Sequence, residues 1–105
     1  MVRKFAIEVP FAEIAPFCER WRINEFALFG SVLEDRFGAA SDVDVLVSFA
    51  PGAEWDLVDA ARMEEELAGL FGRRVDLVTR RSLESSTNPI RRNAILNSAV
   101  SVYVA

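Results

Sequence analysis

The 105-residue chain is 51% apolar and 27% charged, which excludes a disordered polypeptide and suits one small domain over residues 1–105. It carries a net charge of −4, no histidine and one cysteine, Cys18. These features exclude histidine general bases, Ser-His and Cys-His catalysis, His- or Cys-ligated zinc and an internal disulfide, and they argue against direct nucleic-acid binding.

No apolar run approaches the ~20 residues that a membrane span needs, and no signal peptide is visible, so a reducing cytoplasmic setting is expected. A domain this short buries a modest share of its surface and gains from a partner.

Residues 10–22 place Phe11, Ile14, Ala15, Cys18 and Arg22 at helical spacing. Pro10 is tolerated at the start of that helix, whereas Pro16 marks a point for a break or kink. Cys18 falls in the apolar stripe and is expected in the core rather than as a nucleophile. Residues 25–29 (EFALF) predict a short strand. Gly30 and Ser31 then punctuate the chain, and Ser31 can cap a short helix through about Phe37. Gly38 to Ser41 is a loop.

Residues 42–49 (DVDVLVSF) are nearly all apolar after Asp44, the pattern of a central strand covered on both faces. Pro51 and Gly52 close it. A long helix follows over 55–71, with Leu57, Ala60, Ala61, Met63, Leu67, Leu70 and Phe71 inward. Asp59, Glu64, Glu65 and Glu66 fall mostly on its solvated side. Gly72 stops that helix, and 74–78 (RVDLV) predict another strand. Asn88 caps a helix from Pro89 to about Asn97, and 99–104 form a strand or extended tail. This alternation of helix and strand predicts an α/β layer structure.

Charge is unevenly spread. Residues 1–72 carry 6 Lys+Arg against 14 Asp+Glu, whereas residues 73–105 carry 6 against 2. The basic residues of the second segment are Arg73, Arg74, Arg80, Arg81, Arg91 and Arg92. A solvated face and a phosphate- or partner-facing patch account for them equally well.

The chemistry concentrates in the acids of the apolar strands. Side chains alternate along a strand, so Asp42 and Asp44 share a face. Two carboxylates at the mouth of a buried strand are electrostatically expensive, and no Lys, Arg or His is adjacent in sequence to compensate. A divalent cation is the simplest compensation. Asp76 is the one acid in Val75-Asp76-Leu77-Val78, a strand expected beside the first. Three carboxylates on adjacent strands can hold two metals about 3.5–4 Å apart, and without nitrogen or sulfur donors these would be Mg²⁺ or Mn²⁺. Asp76 is placed to bind the second ion or to accept a proton. Gly30 lets backbone approach a phosphate, and Ser31 adds a hydroxyl at a helix start, which favours anions. No G-x-G-x-x-G or G-x-x-x-x-G-K occurs, so dinucleotide-fold and P-loop readings fail.

Taken jointly, Leu28-Phe29-Gly30-Ser31, a ten-residue spacer, Asp42-Val43-Asp44-Val45-Leu46-Val47-Ser48-Phe49 and Val75-Asp76-Leu77-Val78-Thr79 resemble the DNA polymerase β-like nucleotidyltransferase superfamily, and within it the minimal nucleotidyltransferase (MNT) group. The resemblance covers about residues 10–100. It implies a small mixed β-sheet flanked by helices, with Gly30 and Ser31 on the NTP phosphates and Asp42, Asp44 and Asp76 as the catalytic, Mg²⁺-binding triad. Many relatives carry a basic residue just after Gly-Ser. Here Val32 stands there, and Arg36 is the nearest cation.

Larger members of the superfamily add domains that hold base and acceptor, so here the acceptor is expected from a partner. The resemblance implies an antitoxin that moves AMP from ATP to a tyrosine of a HEPN-domain ribonuclease toxin. The alternative is a non-catalytic antitoxin that blocks the toxin by stoichiometric binding; transfer to a small molecule such as an aminoglycoside is a weaker third. Phe5-Ala6-Ile7 and Val100–Val104 are candidate segments for a homo- or hetero-oligomeric interface.

Overall fold

The computed structural model describes residues 5, 7–33, 38 and 41–105. Its elements are α1 (Phe11–Arg20), β1 (Ile23–Phe29), a 3₁₀ turn (Gly30–Leu33), β2 (Val43–Phe49), α2 (Leu57–Phe71), β3 (Val75–Thr79), α3 (Arg80–Glu84), α4 (Pro89–Ser98) and β4 (Val100–Val104). The strands form one mixed sheet in the order β3-β2-β1-β4. β2 is central, as its apolar run predicts: it runs antiparallel to β1 and parallel to β3. The parallel pair needs a crossover, and α2 supplies it.

Alternation along the strands gives the sheet two faces with separate cores. On one face Phe26, Leu28, Val43, Val45, Val47 and Val75 pack with Ile14, Phe17 and Cys18 of α1 and Met63 and Leu67 of α2. Phe17 and Phe26 meet edge to face, with ring centroids 6.3 Å apart. On the other face Ala27, Phe29 and Leu46 pack with Leu83 of α3 and Ile95 of α4. A strand read as covered on both sides is therefore covered on both sides.

Several details depart from the periodicity. Phe11, Leu57 and Ala61, expected inward, are exposed, and Phe17 takes the inward place on α1. Phe11 and Leu57 open their helices, where the chain is still turning onto the sheet. Pro16 lies within α1 without ending it. It removes one helical donor, the one that would reach Ala12, and its ring stays on the exposed side. The short helix α3 is not marked by periodicity; the Thr79 hydroxyl starts it by accepting from the Ser82 N–H. The predicted Asn88 cap is present, accepting from the Arg91 N–H.

The acidic face of α2 is not simply solvated. Asp56 and Asp59 form a reciprocal capping box, and local N–H donors hold the exposed Asp56 carboxyl below its ordinary range. Glu64 accepts the Leu77 N–H at 2.9 Å, and Glu66 pairs with Arg20 at 2.8 Å. Phe5 and Ile7 are half-buried against the larger core rather than forming a free arm, and β4 pairs along β1 as an edge strand. Cys18 is fully buried, and that burial pushes its thiol up to about 12, so it is core and not nucleophile. Among the described residues no helix is long and apolar enough to cross a membrane.

Leu67 is completely buried where α2 meets the sheet. Leu67→Ala is expected to cost about 2–5 kcal/mol, a large share of the stability of a domain this size. Urea denaturation would check it, and a loss under about 1 kcal/mol would contradict the packing described.

Candidate active site

Strand register brings the site together. Asp44 of β2 lies opposite Phe29 of β1 on one side and Asp76 of β3 on the other. Registered residues of adjacent strands point to the same face, and neighbouring strands lie roughly 4.8 Å apart. That face is the α3/α4 face, because Phe29, Leu46 and Val78 all belong to its core. The apolar packing stops at the level of Asp44 and Asp76, so the acids sit at the end of the α3/α4 core rather than inside it. Asp42 lies just ahead of β2 and is exposed, as is Asp76, while Asp44 is half-buried.

The electrostatics match that placement. The Asp44 carboxyl is raised above its ordinary range, first by loss of water and then by the charges of Asp76 and Asp42; Arg91 partly offsets this. Both other predicted acids therefore act on Asp44. Among the described residues, no three acidic, His or Cys side chains are already gathered into a metal cage. A donor set made only of carboxylate oxygens, one of them penalised for its charge, fits Mg²⁺ or Mn²⁺.

Gly30 stands against this cluster. Its φ is +76°, and a β-carbon there would strike the Asp44 carboxylate. The position favours glycine for its left-handed backbone, and a side chain there would push the Asp44 carboxylate out of its present place. Ser31 follows, half-buried, in the 3₁₀ turn. The helix expected from Ser31 to Phe37 is a single 3₁₀ turn over its described part; residues 34–37, including Arg36, lie outside the described residues.

The approach to Asp42 is braced. Gly38 and Ser41 bond reciprocally, with the Gly38 N–H donating to Ser41 Oγ at 3.1 Å and the Ser41 N–H to the Gly38 carbonyl at 3.0 Å. Arg73 Nη1 donates to the Gly38 and Ser41 carbonyls at 2.9 and 3.2 Å, and the Val43 N–H donates to the Arg74 carbonyl at 2.9 Å. The carboxyl-terminal arginines thus do not form one patch. Arg73 holds this loop, Arg92 donates to the Ser86 carbonyl, Arg80 and Arg81 line clefts at the far ends of β2 and β3, and the charge of Arg91 acts on Asp44. Sequence reading missed the roles of Arg73 and Arg91. For Arg91 a signal existed: it lies four residues before Ile95 on the predicted helix, hence on the same face.

A family model described as the nucleotidyltransferase domain matches residues 14–102. A Methanocaldococcus jannaschii protein, provisionally named a protein adenylyltransferase, is 32% identical over 90 residues, covering 86% of this chain and 90% of its own. Protein adenylyltransferase MntA of Thermococcus cleftensis is 40% identical over 67 residues, covering 64% of this chain and 66% of its own. The fold also matches the structure of a tri-AMPylated Shewanella oneidensis HEPN toxin in complex with MNT antitoxin, with a TM-score of 0.62 at 18% identity, covering 91% of this chain and 71% of that one.

The raised Asp44 carboxyl sets a pH dependence. A group whose folded pKa exceeds its unfolded value favours folding while protonated, and that contribution is lost as pH rises through the folded pKa. In chelator, Asp44→Asn is therefore expected to melt with wild type at the acid end and increasingly above it as pH climbs to neutrality. Magnesium at neutral pH should narrow that gap by raising the wild-type midpoint alone. Melting curves across pH would check this; an Asn variant no more stable than wild type at pH 7 in chelator would contradict it.

Proposed function

Because the chain belongs to the nucleotidyltransferase-domain family, we propose that it transfers AMP from ATP to a hydroxyl of a HEPN-domain ribonuclease toxin and so acts as that toxin's antitoxin. The observation that carries the reading is the registered pair Asp44 and Asp76, with Asp42 beside them, set against a left-handed glycine whose missing side chain leaves room for the Asp44 carboxylate. The adenylyltransferase names of the relatives and the AMP-bearing toxin of the similar assembly support the donor and the acceptor.

The residues divide the work as follows. Gly30 gives the triphosphate close access to backbone, and the Ser31 hydroxyl donates to a phosphate oxygen. Asp42, Asp44 and Asp76 would hold Mg²⁺, which when bound neutralises phosphate charge and acidifies a nearby hydroxyl. The acceptor oxygen attacks the α-phosphorus, the bond to the bridging oxygen breaks, and pyrophosphate leaves. Asp76, the more exposed partner of the registered pair, takes the proton released by the acceptor hydroxyl. The open position of Asp42 and Asp76 suits an acceptor side chain delivered by a second protein. A cytoplasmic location follows from that pairing.

The test mixes the purified chain with Mg²⁺, labelled ATP and a HEPN-domain protein from the same genome. Label on the toxin is expected, and the Asp42→Ala/Asp44→Ala double variant should lower its appearance by at least a thousandfold, in line with losing charge stabilisation of the transition state. An unlabelled toxin with folded wild-type protein would refute transfer. Full neutralisation of the toxin in cells by the triple-Asp variant would favour stoichiometric blocking instead.

A further inference from the structure

We infer that Arg91 is the residue that grips the triphosphate tail of the nucleotide. The inference deepens the proposed function and rests on it. Its basis is the way α4 lies on the sheet. Ile95 is buried against the α3/α4 face, in one cluster with Phe29 and Leu46. Arg91 stands one turn earlier on the same side of α4. Phe29 is registered opposite Asp44, and Leu46 lies two residues along β2 from it on the same face. Arg91 thus stands on the side of α4 that faces this part of the sheet, and its charge acts on the Asp44 carboxylate.

Chemistry agrees with the placement. Val32 and Leu33, which follow Gly30-Ser31 in the turn, offer no positive charge. Among the described residues the Arg91 guanidinium donates no hydrogen bond, whereas Arg73 and Arg92 are committed to backbone carbonyls. Arg91 is exposed, and its own N–H is satisfied by the Asn88 cap, so its side chain is free to move while its backbone stays fixed. A planar fork of donors beside a carboxylate cluster suits bidentate capture of the phosphate oxygens farther from the nucleoside. The same cation limits the repulsion among the carboxylates before nucleotide arrives.

The test measures dissociation constants for ATP and for AMP, each with Mg²⁺, by calorimetry on the full chain. Arg91→Ala is expected to weaken ATP about tenfold or more while changing AMP less than twofold, because AMP lacks the outer phosphates. Arg91→Lys should recover part of the loss, and Arg62→Ala, which removes the same charge from the far side of α2, should change neither ligand. A fold defect would weaken both ligands together; Arg91→Gln, which keeps the stem and loses the charge, then decides, and equal losses of ATP and AMP in that variant would overturn the inference. Wild-type ATP binding left unchanged in a folded Arg91→Ala would overturn the inference alone. Absence of ATP binding by wild type would overturn the nucleotide reading and this inference with it.

Discussion

The crowding of like charge around Asp44 constrains the rest of the molecule. β2 enters the sheet with a carboxylate on a face that is apolar two residues later, and the adjacent strand brings Asp76 alongside it in register. Ionising a half-buried acid beside two others costs free energy, and loss of water and the neighbouring charges hold the Asp44 carboxyl above its ordinary range. That cost is tolerable only if other interactions hold the strand in place. The completely buried valines of β2, with Met63 and Leu67 of α2, supply the holding force from the opposite face. Fold stability and site chemistry therefore sit on the two sides of one strand.

Neighbouring features follow from the same constraint. Gly30 leaves room for the Asp44 carboxylate, and a side chain in its place would deny that carboxylate its position. The Gly38–Ser41 turn and the Arg73 guanidinium fix the backbone immediately before Asp42. Arg91 reaches the cluster from the helix that covers the other core. The sheet contributes Asp44 and Asp76, the preceding loop Asp42 and the helix Arg91. The exposed side of that group of charges is where a nucleotide and an acceptor would enter.

Much of this was legible in the chain because the signals are local. The run after Asp44 marks a central strand by composition, and Asn88-Pro89 announces α4 by cap chemistry. The bond from Arg73 to a loop 32 residues away was not legible, because it depends on how α2 returns the chain to β3. Nor was the proximity of Arg91 to Asp44, which needs both the helix phase and the sheet face on which α4 lands. Phe11 and Leu57 misled for a related reason: helical spacing says which residues share a side, not where a helix first meets the sheet. The half-buried Phe5 and Ile7 carry no periodic signal at all.

The central claim is that Asp44 carries an ionisation cost that a divalent cation relieves together with a nucleotide. Uptake of Mn²⁺ tests it most directly, followed through the loss of the free-ion electron paramagnetic resonance signal in the presence of a non-hydrolysable ATP analogue. Wild-type protein is expected to withdraw Mn²⁺ from solution beyond what the analogue alone withdraws, and Asp44→Asn to lose that excess. Equal uptake by the two proteins, both folded, would contradict the account.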